Sequence, residues 1–81
     1  MKYRYSLHAQ EEMENRNIKM EWVERVFSSP SVKKSVSKDE IHFYGQIDDY
    51  EARCLKVVAN PEKKVIVTVY FDRGMRKRGC K

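Results

Sequence analysis

Long apolar runs are missing from this sequence, and so are acidic residues beyond Asp72. No stretch approaches the roughly 20 apolar residues of a membrane-spanning helix, and the first residues lack the apolar core of a secretory signal. We therefore expect no membrane partner. The two cysteines, Cys54 and Cys80, lack the spacing of a disulfide framework, which favours a reducing, cytoplasmic setting. Neither forms a metal-ligand spacing with His8 or His42, so we expect no metal and no cofactor.

The charge is distributed unevenly along the 81 residues, a length that suits one small domain. Residues 1–72 hold 12 of the 17 basic residues and all 12 acidic ones, so their net charge is zero. The excess of +5 lies wholly in residues 73–81, as Arg73, Arg76, Lys77, Arg78 and Lys81. We predict a compact domain over residues 1–72 and a basic, disordered tail over residues 73–81. Such a tail can bind nucleic acid by counterion release, or it can simply be a solvated end.

The apolar pattern changes from helical to alternating along the chain. Ser6 suits the N-cap of a helix over residues 7–16, and a second helical pattern covers residues 20–28. Residues 32–37 then suit a short polar edge strand, and alternating or continuous apolar patterns predict strands near residues 41–45, 53–59 and 65–71. This order predicts an α+β domain in which two N-terminal helices pack on a four-stranded antiparallel sheet.

The first predicted helix carries His8, Glu12 and Arg16 at intervals of four residues, which places them on one face. Ala9 and Met13 are its only well-aligned apolar residues, so either Leu7 turns inward or the polar stripe takes part in the interface. An imidazole in a first helical turn favours the neutral form that a general base needs. Taken alone, the stripe is more simply explained as an ordinary salt-bridge ladder, with a Glu12–Arg16 pair of small energy.

A second group of side chains emerges when the strands are sorted by face. Alternation turns one set toward the helices: Leu55, Val57, Val65, Val67 and Val69. It turns another set to the opposite face: His42, Tyr44, Lys56, Ile66, Thr68 and Tyr70. Aromatic rings among cations and hydroxyls suit the binding of single-stranded RNA. The alternative is that a sheet's solvent face is polar by default and that Tyr and Thr simply favour strands.

These residues carry a family resemblance over roughly residues 4–72. The matching positions include Ser6-Leu7-His8-Ala9, Met13, Arg16-Asn17-Ile18, Tyr44-Gly45, Leu55-Lys56-Val57-Val58 and Val67-Thr68-Val69-Tyr70. They resemble a bacterial family of small domains of unknown function with an S-x-H-A-x-x-R-M-x-x-R-G-I pattern and a later V-x-T-V-Y. That family is grouped with RelE-like (barnase–EndoU–colicin–RelE) ribonuclease toxins. Glu12 departs from the pattern, which often has Arg there.

The resemblance implies a toxin-type endoribonuclease that cleaves RNA without metal, by attack of a 2′-hydroxyl on the neighbouring phosphate. On this hypothesis His8 is the base or acid, Arg16 and Lys56 bind the phosphate, and Thr68 or Tyr70 donates a hydrogen bond or proton. The expected RNA-binding residues are His42, Tyr44, Arg73, Arg76, Lys77 and Arg78. RNA, an antitoxin-like protein and a weak homo-oligomer are the expected partners. The alternative is a non-catalytic module of the same fold that binds protein or RNA.

Overall fold

The computed structural model describes residues 2–81, which form an α+β domain with one five-stranded sheet. Its elements in chain order are β1 (Arg4–Tyr5), α1 (Leu7–Asn15), α2 (Met20–Ser28), β2 (Val32–Ser37), β3 (Glu40–Ile47), a 3₁₀ turn (Asp48–Tyr50), β4 (Arg53–Asn60), β5 (Val65–Phe71) and α3 (Arg73–Lys77). The predicted fold class is confirmed, whereas β1 and α3 were not predicted. No helix within residues 2–81 is long and apolar enough to cross a membrane.

The start of α1 is fixed by its N-cap residue. Ser6 Oγ accepts a hydrogen bond from the Ala9 N–H at 3.0 Å and donates one to the Val67 carbonyl at 2.7 Å. The same hydroxyl therefore starts the helix and attaches it to β5. Asn17, at φ 55°, takes the left-handed conformation that stops the helix just beyond Arg16.

The sheet has the strand order β1-β5-β4-β3-β2 and is not purely antiparallel. β1 runs parallel to β5, pairing Arg4 with Val65 and Tyr5 with Ile66, while the other neighbours are antiparallel. The prediction of four antiparallel strands is therefore wrong by one edge strand. A two-residue strand is too short to show any alternation in the sequence.

Both N-terminal helices pack on one face of the sheet. Their buried contribution comes from Ala9 of α1 and from Trp22, Val23 and Val26 of α2. Gly45 of β3 lets α2 approach closely, because a Cβ at this position would lie 2.8 Å from Val26 Cγ2. The helix-facing side chains of the central strands complete this core: Phe43, Ile47, Leu55, Val57, Ala59, Ile66 and Val69.

A β-bulge in β5 reverses the predicted alternation. Val58 pairs with Thr68 and Ala59 with Ile66, so Val67 has no partner on β4. Ile66 is consequently fully buried in the helix-side core, and Val67 is 39% exposed. The predicted faces of Val65, Ile66 and Val67 are wrong for this reason. Leu55, Val57 and Val69 do face the helices.

The basic C-terminal segment is ordered and covers part of the other sheet face. Asp72 caps α3 by accepting a hydrogen bond from the Met75 N–H at 2.9 Å. Cys54 and Cys80 form a disulfide with a Cα–Cα distance of 5.4 Å, so the expectation of two reduced cysteines is wrong. Tyr44, Met75 and the two cysteines form a second buried cluster. A segment too polar to fold alone thus forms a short helix in contact with the sheet, where the sequence predicts a disordered tail.

Candidate nucleic-acid interface

A cavity of about 790 Å³ lies at the end of the sheet where β4 begins and β5 ends. Five cationic side chains line it: Arg16 after α1, Arg53 at the start of β4, and Arg73, Arg76 and Lys77 on α3. We call this cavity the basic pocket. Four of its five cations are among the residues predicted from the sequence. The sequence had predicted two separate roles for these four residues. Arg16 was expected to bind the phosphate that reacts, and the three cations of the tail were expected to bind nucleic acid.

Carboxylates neutralise only part of the charge around the basic pocket. Arg16 Nε lies 2.6 Å from Glu12 Oε2, and Arg53 Nη2 lies 3.2 Å from Glu51 Oε2. The hydrogen bond from Arg16 lowers the pKa of Glu12 below its usual value, so this partner stays ionised to lower pH. Arg76 donates to the Glu51 carbonyl at 3.2 Å.

Two cations of the basic pocket remain unpaired. Arg73 and Lys77 have no ion-pair or hydrogen-bond partner among the side chains of residues 2–81. Asp72 is the one acidic residue lining the cavity, and its Oδ1 already accepts the Met75 N–H. The pocket therefore presents a net positive field to an incoming anion.

Aromatic rings hold Arg53 in place at the edge of the pocket. The Tyr50 ring stacks on Trp22 with centroids 5.6 Å apart and contacts Phe71 at 5.2 Å. The Arg53 guanidinium lies over Tyr50 with its Cζ 4.9 Å from the ring centroid. Its Nε is buried and has no hydrogen-bond partner in the part of the chain described, residues 2–81. This packing fixes the orientation of the guanidinium before any ligand binds.

The basic pocket lies where α1 ends, β4 begins and α3 begins, and each of these element ends has a local cause. The left-handed Asn17 terminates α1 beside Arg16. Glu51 and Ala52, at φ 55° and 54°, reverse the chain after the 3₁₀ turn and begin β4 at Arg53. The Asp72 cap then starts α3 directly after β5. The local sequence of these turns does not indicate that the three element ends meet at one cavity.

A second group lies on the sheet face opposite α1 and α2. Tyr44, Lys56 and Tyr70 are direct cross-strand neighbours on β3, β4 and β5, and we call them the lysine row. Lys56 Nζ lies 5.5 Å from the Tyr44 ring centroid and 5.3 Å from that of Tyr70. Burial by itself lowers the pKa of Lys56, but hydrogen bonding and charge interactions with Tyr70 and Tyr44 outweigh burial and raise it. The ammonium is therefore a stable cation.

The next row on that face contains His42 and Thr68, paired through Val58. His42 Nε2 lies 2.6 Å from Glu40 Oε2, and this contact holds the imidazole. Tyr44, in contrast, is only 5% exposed because Met75 and Cys80 pack with it. The C-terminal segment thus covers the Tyr44 ring, which leaves no ring face for stacking on a base. The sequence had led us to expect an exposed ring.

His8 belongs to neither group. It is exposed in the first turn of α1, whereas Arg16 follows the last turn. Eight residues of helix separate the two by about 12 Å along the axis. The sheet also stands between α1 and the lysine row, since Ala9 packs in the helix-side core. The structure therefore brings Arg16 together with the α3 cations, and Lys56 together with Thr68 and Tyr70, but it does not unite the two sets.

Sequence reasoning missed Arg53 and the cysteine pairing. Arg53 follows a turn, and nothing in that local pattern marks it as a pocket residue. Arg78 was predicted to bind nucleic acid, but it is the C-cap of α3 and does not line the pocket. Residues 2–81 hold no group of three or more His, Cys, Asp or Glu side chains that could bind a metal ion.

A family model for a domain of unknown function, DUF4258, matches residues 5–71. The chain belongs to this family. The DUF4258 region spans both N-terminal helices and all of β2 to β5, and it includes Arg16 and Arg53. The cations on α3 lie beyond the matched residues. No curated protein and no solved structure matches the chain. Membership in a family of small uncharacterised domains agrees with the resemblance, while the RelE-like grouping stays a prediction.

Proposed function

We propose that this protein binds RNA and that the basic pocket holds a phosphate of the bound strand. The observation that carries this proposal is the convergence of five cations from α1, β4 and α3 on one cavity. Arg73 and Lys77 are unpaired there, so a phosphate gains their charge without displacing a carboxylate. Arginine forks and lysine ammonium groups are the side chains that most often bind phosphate.

Features beside the pocket favour RNA over an acidic protein as the polyanion. The lysine row and Thr68 place a cation, the Tyr70 ring and a hydroxyl on the neighbouring sheet face. Aromatic rings stack on unpaired bases, and hydroxyls bond the ribose 2′-hydroxyl. An acidic peptide offers partners for the cations but has no use for the stacking surface.

The test is titration of a labelled single-stranded RNA, followed by fluorescence anisotropy. The double variant Arg73→Gln/Lys77→Gln should raise Kd about tenfold or more, since a hydrogen bond to a charged group contributes roughly 1.5–3 kcal/mol. It should also reduce the slope of log K against log salt by about 1.4, or roughly 0.7 for each lost phosphate contact.

The matched control is Lys63→Gln/Lys64→Gln, which removes the same charge from the exposed β4–β5 turn. This control should keep affinity close to that of the unaltered protein. An equal loss of affinity in both double variants would mean that only net charge matters, and the pocket would not be the binding site.

RNA cleavage is the second candidate function, and the lysine row favours it. A protonated Lys56 can stabilise the phosphorane formed when a 2′-hydroxyl attacks the adjacent phosphate, and Tyr70 or Thr68 can donate to it. His42, in the next row, is the imidazole closest in register to this group; it could accept the proton of the attacking 2′-hydroxyl and then pass it to the leaving 5′-oxygen. The family resemblance instead implies His8 as the base or acid.

Incubation of RNA with the protein in the presence of a chelator distinguishes these assignments. Cleavage to a 2′,3′-cyclic phosphate should disappear in His42→Ala if the lysine row is the site, and in His8→Ala if the predicted helix residue is the base. An intact RNA after incubation with the unaltered protein would exclude this candidate. The proposal of RNA cleavage also includes the RelE-like grouping, an antitoxin-like partner and weak self-association.

The cytoplasmic location remains a prediction, and the observation on which it was based no longer holds. It was based on two unpaired cysteines, which the structure shows as a disulfide. Disulfides persist mainly in oxidising compartments. Fractionation of cells that produce the protein, with a thiol-trapping reagent present at lysis, measures both its location and the state of the pair.

A further inference from the structure

We infer that the basic pocket is selective for the phosphomonoester of a nucleotide, and that an internal phosphodiester is a poorer ligand. This inference rests on the proposed RNA binding and narrows its ligand. The same chemical group occurs at the phosphorylated end of an RNA strand and on a free mononucleotide.

The first argument is charge. Arg16 and Arg53 are ion-paired with Glu12 and Glu51, whereas Arg76 bonds only the backbone carbonyl of Glu51, which does not offset its charge. The three cations of α3, less the one Asp72 carboxylate, leave a net charge of +2 in the pocket. A phosphomonoester carries a charge of about −1.5 to −2 at neutral pH, whereas each diester of a nucleic-acid backbone carries a single charge. The monoester therefore matches the free charge of the pocket more closely.

The second argument is the placement of the two free cations. Arg73 and Lys77 are four residues apart in the same short helix, so they project from one side of α3. Side chains at this spacing have Cβ atoms roughly 5–6 Å apart. Both can reach a single phosphate with three terminal oxygens, and a monoester provides one more such oxygen than a diester does.

The third argument is the shape of the cavity. Its cations come from the ends of three separate elements, α1, β4 and α3, that meet at one cavity, so they do not follow a single strand or helix along the surface. A chain of diesters needs a path in and a path out, while a terminal group needs only one opening. The volume of about 790 Å³ falls within the roughly 300–1,000 Å³ of small-ligand pockets. One nucleotide therefore fits.

The aromatic side of the pocket has a place for the nucleoside. Tyr50 and Phe71 line the cavity, and the Arg53 guanidinium lies over the Tyr50 ring, with its Cζ 4.9 Å from the ring centroid. A planar guanidinium fixed in this way is a surface on which a base can stack. The phosphate would then contact α3 while its base rests over Arg53.

The test compares one internally labelled RNA sequence with three kinds of end: a 5′-phosphate, a 3′-phosphate, or hydroxyls at both ends. We expect at least one phosphorylated form to bind about tenfold more tightly than the hydroxyl form. The advantage should vanish in Arg73→Gln/Lys77→Gln and persist in Lys63→Gln/Lys64→Gln. Thermal unfolding of each variant verifies that it is folded.

A competition arm separates the two sources of the ligand. A nucleoside monophosphate that displaces the phosphorylated RNA, where the corresponding nucleoside does not, supports the inference. Equal affinity for all three RNAs, with no displacement by the monophosphate, would overturn it and leave RNA binding intact. If no RNA binds but the monophosphate binds to the unaltered protein alone, the inference holds and the proposed RNA binding fails.

Discussion

Reducing the Cys54–Cys80 disulfide tests how α3 is held against the sheet. The bond joins residues 26 apart in the sequence. In the chain-entropy account, a crosslink that closes a loop of this length stabilises the folded state by about 3.5 kcal/mol. Each 1 kcal/mol shifts the Tm of a domain of this size by roughly 4–8 °C. Reduction should therefore lower Tm by roughly 14–28 °C.

The structure also indicates which part loosens first. Without the disulfide, α3 is held mainly by the buried Met75 side chain and by the Asp72 N–H, which donates to the Cys54 carbonyl at 2.9 Å. These contacts come from the N-cap and the central residue of a five-residue helix. Hydrogen exchange of the α3 amides should accelerate more than that of β4 and β5.

The assay is thermal unfolding by circular dichroism, with and without a dithiol reductant. Cys80→Ala serves as the control, because it lacks the bond and should melt at the same temperature under both conditions. A reduced protein that melts within about 3 °C of the oxidised one, well below the 14 °C expected, would refute this reasoning. A reductant effect of equal size in Cys80→Ala would refute it as well.

Two further predictions concern the core. Gly45→Ala should lower the free energy of unfolding by about 1–3 kcal/mol in urea titrations, because the new Cβ would meet Val26 Cγ2. In a Val26→Ala background, Gly45→Ala should lower the free energy of unfolding by less. Strictly additive effects of the two substitutions would contradict the clash. Burial and the charge of Glu24 raise the pKa of Tyr5 to about 12. The folded state thus retains a proton that the unfolded state releases near pH 10, so stability should fall as pH rises from about 10 toward 12. Tyr5→Phe should lose less stability over that range, and identical pH profiles would rule out this effect.

The two N-terminal helices were predictable because their signals are local. Ser6 caps α1 as its residue type suggests, and the apolar spacing of α2 matches its buried face. Three of the four longer strands were also found from their apolar patterns, and β2 was predicted as a polar edge strand. The faces of β5 were not, because one bulged residue, Val67, reverses the alternation on which face assignment depends.

The features that the sequence did not reveal depend on contacts between distant residues. Cys54 pairs with Cys80 only because the sheet brings the chain end back over β4. The same return carries Arg73 and Lys77 to the neighbourhood of Arg16 and Arg53. Composition identified the cations, and periodicity placed some of them on elements. Only the tertiary arrangement shows that they share one cavity and that His8 lies outside it.

The bulge at Val67 has a consequence for insertions and deletions in β5. Its carbonyl accepts the Ser6 hydroxyl, so the start of α1 is attached at the one residue of β5 that β4 leaves unpaired. The part of β5 before Val67 pairs with β1, and the part after it leads into α3. Deleting this residue would move the side chains of one of the two parts to the opposite face of the sheet, and it would also displace α1. Alignments within the family should therefore treat the length of this strand as fixed, even where the identity of the bulged residue varies.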